Sequence, residues 1–252
     1  MRQNCGMWGW QRDASARSAR GGADAANDAL RDKYLADKRV EFEASCNAGD
    51  AGGCYSLGEW WLYFGKDRAK AEALFKGACH ERKHGNACFA LAQVEQSRPE
   101  GSDPAIIWEL TRKACEYGNR QACGTAGALR LKGRGCGKDA ADAQRLFALA
   151  CEENDSAACF NLGRLLLDGD KDLGVKRDAA KAFPAMLRAC QLGHANGCQV
   201  VSVMYKKGEG VAASEEQHEL FKQRTLDIVK QSGQAFFGVE PASRRAGEGK
   251  EA

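Results

Sequence analysis

A pair of cysteines eight or nine positions apart recurs five times along this chain: CNAGDAGGC from Cys46, CHERKHGNAC from Cys79, CEYGNRQAC from Cys115, CEENDSAAC from Cys151 and CQLGHANGC from Cys190. The first cysteines of successive pairs lie 33, 36, 36 and 39 residues apart. That is the period of a helix-turn-helix unit that buries its apolar face only by stacking on its neighbours. After the second cysteine comes a stretch such as FNLGRLLLDG (160–169) or QVVSVMYKKGEGV (199–211), apolar at helical spacing and closed by glycine. A polar opener and an Ala-rich stretch follow, as in KDRAKAEALFKGAC, KDAADAQRLFALAC and KRDAAKAFPAMLRAC, each ending on the next unit's first cysteine. The pattern predicts two short helices per unit, A then B, with an opening B-type helix over 26–46 and a closing helix over 214–231. Pro184 falls inside the fourth B helix and is expected to kink or shorten it.

Paired cysteines can be metal ligands, a redox couple or a staple. Eight residues of one straight helix would hold Cys115 and Cys123 roughly 12 Å apart, too far for a disulfide, whose Cα atoms lie about 4.4–6.8 Å apart. Each intervening segment, however, carries Gly, Asn or Asp: Gly49 and Asp50, Gly85 and Asn86, Gly118 and Asn119, Asn154 and Asp155, Gly193 and Asn196. Such residues let one helix end and the next fold back beside it. The expected pairs are therefore Cys46 with Cys54, Cys79 with Cys88, Cys115 with Cys123, Cys151 with Cys159 and Cys190 with Cys198. A shared metal ion is the lesser reading, because no CxxC occurs and paired zinc cysteines nearly always use short spacing. Cys5 and Cys136 lie outside the pattern and are expected as free thiols.

HERKH, His80–His84, matches H-E-x-x-H, which on a helix sets two imidazoles and a carboxylate on one face for zinc-assisted hydrolysis. Here the five residues fill the slot that other units fill with NAGDA, EYGNR, EENDS and QLGHA, where the repeat ends a helix rather than continues one. They are expected as an inter-helix segment, and no metal ligand set or catalytic residue is assigned. The four histidines show no CxxCH, which leaves no motif for covalent haem attachment.

Lys and Arg (37) nearly balance Asp and Glu (34), with no long block of one sign, so nothing in the charge supports nucleic acid or an acidic membrane as partner. The longest apolar runs, such as WWLYF at 60–64, fall far below the roughly 20 residues of a bilayer span. The start of the chain has no secretory apolar core but carries Arg2, Arg12, Arg17 and Arg20 against Asp13, weakly like a mitochondrial presequence. Residues 1–25 are expected as a disordered arm, 26–231 as the repeat array and 232–252 as a disordered tail.

CYSLGEWW, KACEYG, CFNLGRLLLDG and above all ACQLGHANGC followed by SVMYKKGEGV resemble Sel1-like repeats of the cysteine-rich, Hcp type, and within that family its mitochondrial branch. Departures are the Arg-rich start, VEQSRP (94–99) in place of a G-x-G-V connection, and the additional Cys136. The resemblance implies an all-α, TPR/Sel1-like right-handed solenoid of αα-hairpins stapled within each repeat. It implies a protein of the mitochondrial intermembrane space, oxidised by the resident thiol oxidase, that supports assembly of respiratory-chain complexes, cytochrome c oxidase first. Its partners would be respiratory-chain subunits or assembly intermediates. Haem binding is associated with the family, although no cofactor is assigned to this chain. The long repeat with no catalytic constellation favours a non-catalytic scaffold. The alternatives are an Hcp-type β-lactamase or penicillin-binding protein of the bacterial periplasm or a secreted one, and a haem or thiol-disulfide handling protein using Cys5, Cys136 or a histidine. Against the first, no serine has lysine three positions later, and S-D-N and K-T-G are missing.

Overall fold

The computed structural model describes residues 23–99 and 101–232, with side chains from Asp28 to Gln231. Cys5, the tail from 233 and most of the expected arm therefore lie outside the described residues. The chain divides into two compact units, Met1–Ala71 and Glu72–Ala252. Among the described residues the elements are eleven helices, and extended pairing is limited to an isolated bridge between Asp170 and Val175.

The helices alternate as the repeat predicts. The B helices are α1 (Ala23–Asn47), α3 (Arg68–His80), α5 (Pro104–Glu116), α7 (Ala140–Glu152) and α9 (Ala179–Gln191), and α11 (Glu215–Ser232) closes the series. The A helices are α2 (Ala51–Tyr63), α4 (Gly85–Gln96), α6 (Arg120–Lys132), α8 (Ser156–Asp168) and α10 (Ala195–Lys207). Each A helix starts three residues before its second cysteine, not after it, because the N-cap is the last residue of the turn. The first cysteine is thus the second-to-last residue of α1, α3, α5, α7 and α9, and the second is the fourth residue of every A helix. The extra residue of the Cys79–Cys88 pair enlarges only the turn, Glu81 to His84, and leaves both helix registers intact.

In the first unit the indole of Trp60 donates to the carbonyl of Leu35 at 2.9 Å, tying α2 to α1. Trp61 meets Trp60 edge-on at 5.0 Å, and the Lys70 ammonium lies 4.2 Å from a Trp61 ring centre.

In the second unit A and B helices approach closely because glycine faces a bulky residue. A Cβ on Gly127 of α6 would come within 2.8 Å of the Phe147 ring of α7, and one on Gly163 of α8 within 2.7 Å of Met186 of α9. Phe147 and Met186 are almost wholly buried. Farther along, Tyr205 lies between Phe183, edge-on at 5.4 Å, and Phe221, stacked at 5.7 Å.

Two departures from the regular pattern have physical explanations. α9 runs 13 residues through Pro184, the same length as α7, so the helix is not shortened. Proline removes a single N–H there, while Ala182, Ala185, Met186, Ala189 and Cys190 stay buried along the packed face. At the end of α6 and α10 the chain leaves through Gly133 and Gly208 in the left-handed region, but after α4 it has no such glycine. Buried Glu95 takes over. It pairs with Arg98, which also donates to Glu72 at 2.9 Å, and it accepts the backbone N–H of Asp103 at 3.3 Å.

Candidate functional site

The five stapled corners share one construction. A positive-φ residue, Gly49, Lys83, Gly118, Asn154 or Gly193, reverses the chain, and the next residue caps the following helix. Asp50, Asn119 and Asp155 accept backbone N–H groups with a side-chain oxygen, Asn119 from Ala122 at 2.8 Å. Each corner closes with a disulfide: the Cα–Cα distance is 4.4 Å at Cys46–Cys54 and Cys190–Cys198, 4.6 Å at Cys151–Cys159, and 4.7 Å at Cys79–Cys88 and Cys115–Cys123. Apart from half-buried Cys46, the ten sulfurs belong to buried residues.

Two corners use histidine as cap. His84 and His194 accept through Nδ1 from Ala87 N at 3.3 Å and Gly197 N at 3.2 Å. The HERKH residues are therefore split: His80 is the last residue of α3, Glu81 to Lys83 form the turn, and His84 caps α4. They do not present two imidazoles on one helical face.

The His194 ring stacks on Phe160 at 4.4 Å and is half-buried. Burial lowers its pKa below the ordinary imidazole value, against an opposing effect of the Asp155 charge. A lowered folded pKa means that the unfolded chain takes up the proton first. The cap's contribution is then complete above about pH 6.5 and is lost as pH falls from there toward the folded pKa. Between about pH 7.5 and 5.5 the wild-type melting midpoint should fall more steeply than that of His194→Asn, a cap that does not titrate. The difference should reach about 1 kcal/mol at most. Parallel pH profiles from thermal melts would refute this role for His194.

Cys136, in the connection from α6 to α7, is an unbonded, half-buried thiol whose Sγ reaches the carbonyls of Leu129 and Arg134, both at 3.7 Å. Ser202 and His218 form a buried pair between α10 and α11, with Oγ to Nδ1 at 2.7 Å. It is no nucleophile and base: the hydroxyl is fully buried and donates to the His218 carbonyl at 3.0 Å. An open groove of about 460 Å³ lies between α8 and α10, with Leu167, Val200 and Val203 along it and the Arg177–Glu209 ion pair at its edge. Sequence reasoning missed the histidine caps, although their alignment with Asp50, Asn119 and Asp155 carries the signal. It also missed the Ser202–His218 pair, for which no local pattern exists.

No protein-family model matches the chain. Among curated proteins it is 30% identical over 205 residues to cytochrome c oxidase assembly factor 7A of Xenopus laevis, across 78% of this chain and 88% of the frog protein. The chain belongs to the cytochrome c oxidase assembly factor 7 family. Its similarity to cytochrome c oxidase assembly factor 7 of Xenopus tropicalis is 29% over 204 residues, across 78% of this chain and 87% of that one. Solved structures show the same fold in a Sel1 repeat protein from Oxalobacter formigenes, with TM-score 0.63 and 17% identity across 83% of this chain and 94% of that one. A protective antigen of uropathogenic Escherichia coli displaying an SLR fold has TM-score 0.59 and 20% identity, across 85% of this chain and 52% of that one. The assembly factor 7 family and the Sel1-repeat fold thus meet in a chain built of stapled αα-hairpins.

Proposed function

We propose that this protein is a non-catalytic scaffold that assists assembly of respiratory-chain complexes, cytochrome c oxidase first, in the mitochondrial intermembrane space. The observation that carries the reading is the 30% identity to the frog assembly factor across 88% of its length. Five disulfides closed within their own hairpins support an oxidising compartment, since thiols of the cytosol and matrix are kept reduced. The repeat array occupies 26–231 in this proposal, flanked by the arm 1–25 and the tail 232–252. Its partners are respiratory-chain subunits or assembly intermediates, and a thiol oxidase of the compartment installs the staples. Catalysis has no part in the proposal, because the helices present repeated packing faces and the Ser202 hydroxyl is fully buried.

The test is affinity capture of the tagged full chain from mitochondria of its own organism, after acid trapping and alkylation. Co-enrichment of cytochrome c oxidase subunits, with the ten stapled cysteines protected from alkylation, is the expected result. Capture that enriches no respiratory-chain protein, or ten reactive thiols, would remove the reading.

A further inference from the structure

The contact between α10 and α11 breaks a rule that α3, α5, α7 and α9 obey. The fourth residue of α3, α5, α7 and α9 is Ala71, Ile107, Ala143 or Ala182, apolar and buried every time. In α11 that place is taken by His218, 8% exposed. Opposite it, where α6 and α8 carry Gly127 and Gly163 four residues after the cysteine, α10 carries Ser202. Nδ1 of this imidazole has partners within the protein, whereas Nε2 lies at the ring's solvent-facing edge with no protein hydrogen bond among the described residues.

Nδ1 of His218 faces the Ser202 carbonyl at 3.0 Å and the Ser202 hydroxyl at 2.7 Å. The hydroxyl's own proton goes to the His218 carbonyl at 3.0 Å. Because a carbonyl only accepts, Nδ1 carries the proton and the neutral ring has its lone pair on Nε2. Among the described residues Nε2 makes no hydrogen bond, and Glu219 Oε1 stands 3.7 Å from it. The Glu215 carboxylate completes the group: one donor atom each from Glu215, His218 and Glu219 lie within 4.8 Å of one another. With Nδ1 protonated, the Nε2 lone pair is the nitrogen left to ligate a cation, and the Glu219 carboxylate stands beside it.

We propose that Glu215, His218 and Glu219 form a binding site for a divalent first-row cation of borderline character, with Zn²⁺ as its representative. Spacing of i, i+3 and i+4 sets the three side chains on one helical face. Tetrahedral zinc with ligands at about 2.0–2.2 Å needs donors roughly 3.3 Å apart. The exposed side chains of Glu215 and Glu219 can close the remaining distance while His218 stays fixed. That fixing is the arrangement metal-bound histidines use, with the second nitrogen donating to a backbone carbonyl. A solvent molecule fills the fourth position. Lys222, 2.9 Å and 3.1 Å from the two Glu219 oxygens, competes with the metal for that carboxylate, and the exposed pair is readily given up.

The experiment is Zn²⁺ titration of the oxidised full chain by calorimetry, with imidazole ¹⁵N resonances followed by NMR. Expected are one saturable site, movement of the His218 Nε2 resonance with Nδ1 still protonated, and binding at least about tenfold weaker in the double variant Glu215→Gln, Glu219→Gln. Lys222→Ala should bind more tightly, a gain that misfolding cannot produce. Three outcomes overturn the proposal: no saturation up to about 1 mM Zn²⁺, equal binding by the double variant, or an Nε2 resonance that responds to pH but not to zinc, which would make the cation a proton only.

Discussion

Under strong reductant this protein is expected to lose its cooperative melting transition. Each staple closes a loop of about nine residues, and constraining such a loop in the unfolded chain contributes roughly 2.5 kcal/mol, so five contribute about 12 kcal/mol if unstrained. A typical domain has a net stability of only about 5–15 kcal/mol. The hairpins have little to replace that contribution, because much of what they bury is alanine: Ala78, Ala114, Ala150 and Ala189 lie one residue ahead of the first cysteines, each wholly buried. Circular dichroism of the oxidised and reduced protein, with thiols alkylated after reduction to prevent reclosure, reads the effect. An intact sigmoidal melt in the reduced sample would show that the helices cohere without the staples.

The second large effect is expected at the crossing of α6 and α7. Phe147→Ala should cost about 3–5 kcal/mol, because the ring is 1% exposed and its loss leaves a void against Gly127. Gly127→Ala in the wild type should also destabilise. Its new methyl meets the ring at 2.8 Å and the Ala143 carbonyl at 3.3 Å, and overpacking of about 1–3 kcal/mol outweighs the gain of about 1 kcal/mol in helix propensity. Combined with Phe147→Ala, the same methyl enters vacated space and should become stabilising. A double-mutant cycle from urea melts is therefore expected to give a coupling of about 1 kcal/mol or more. Gly77 of α3 supplies the contrast: a Cβ there meets nothing within 4 Å, so Gly77→Ala should stabilise. Additive effects at Gly127 and Phe147 would mean that the close approach is not what glycine provides.

The spacing of Cys46 to Cys198 determined the hairpin, its period and the pairing of sulfurs, because a disulfide imposes one distance and the turn residues allow one way to meet it. The helix starts were less legible. Asp50, Asn119 and Asp155 are familiar caps, whereas His84 and His194 act only through Nδ1, a role that the residue type does not announce. The connection after α4 was recognised as irregular from VEQSRP, yet its replacement by the Glu72–Arg98–Glu95 network joins residues 26 positions apart and has no local signature. His218 was hidden for the same reason: it occupies an ordinary place in an amphipathic helix, and only its position against Ser202 makes it unusual.

The glycine-facing-bulk contact of Gly127 with Phe147 and Gly163 with Met186 also bears on how such a chain can lengthen. Any hairpin copied between these two junctions would meet, at both new seams, a partner of the shape it left behind. Tandem duplication there is structurally permitted at the moment it occurs. The Ser202–His218 seam is less permissive: a copy of α7–α8 inserted before α11 would set His218 against Gly163 and leave both Ser202 and His218 without their buried partner. Growth at that end has to copy α10 together with its serine, so α10 and α11 are expected to travel as a block while interior units come and go.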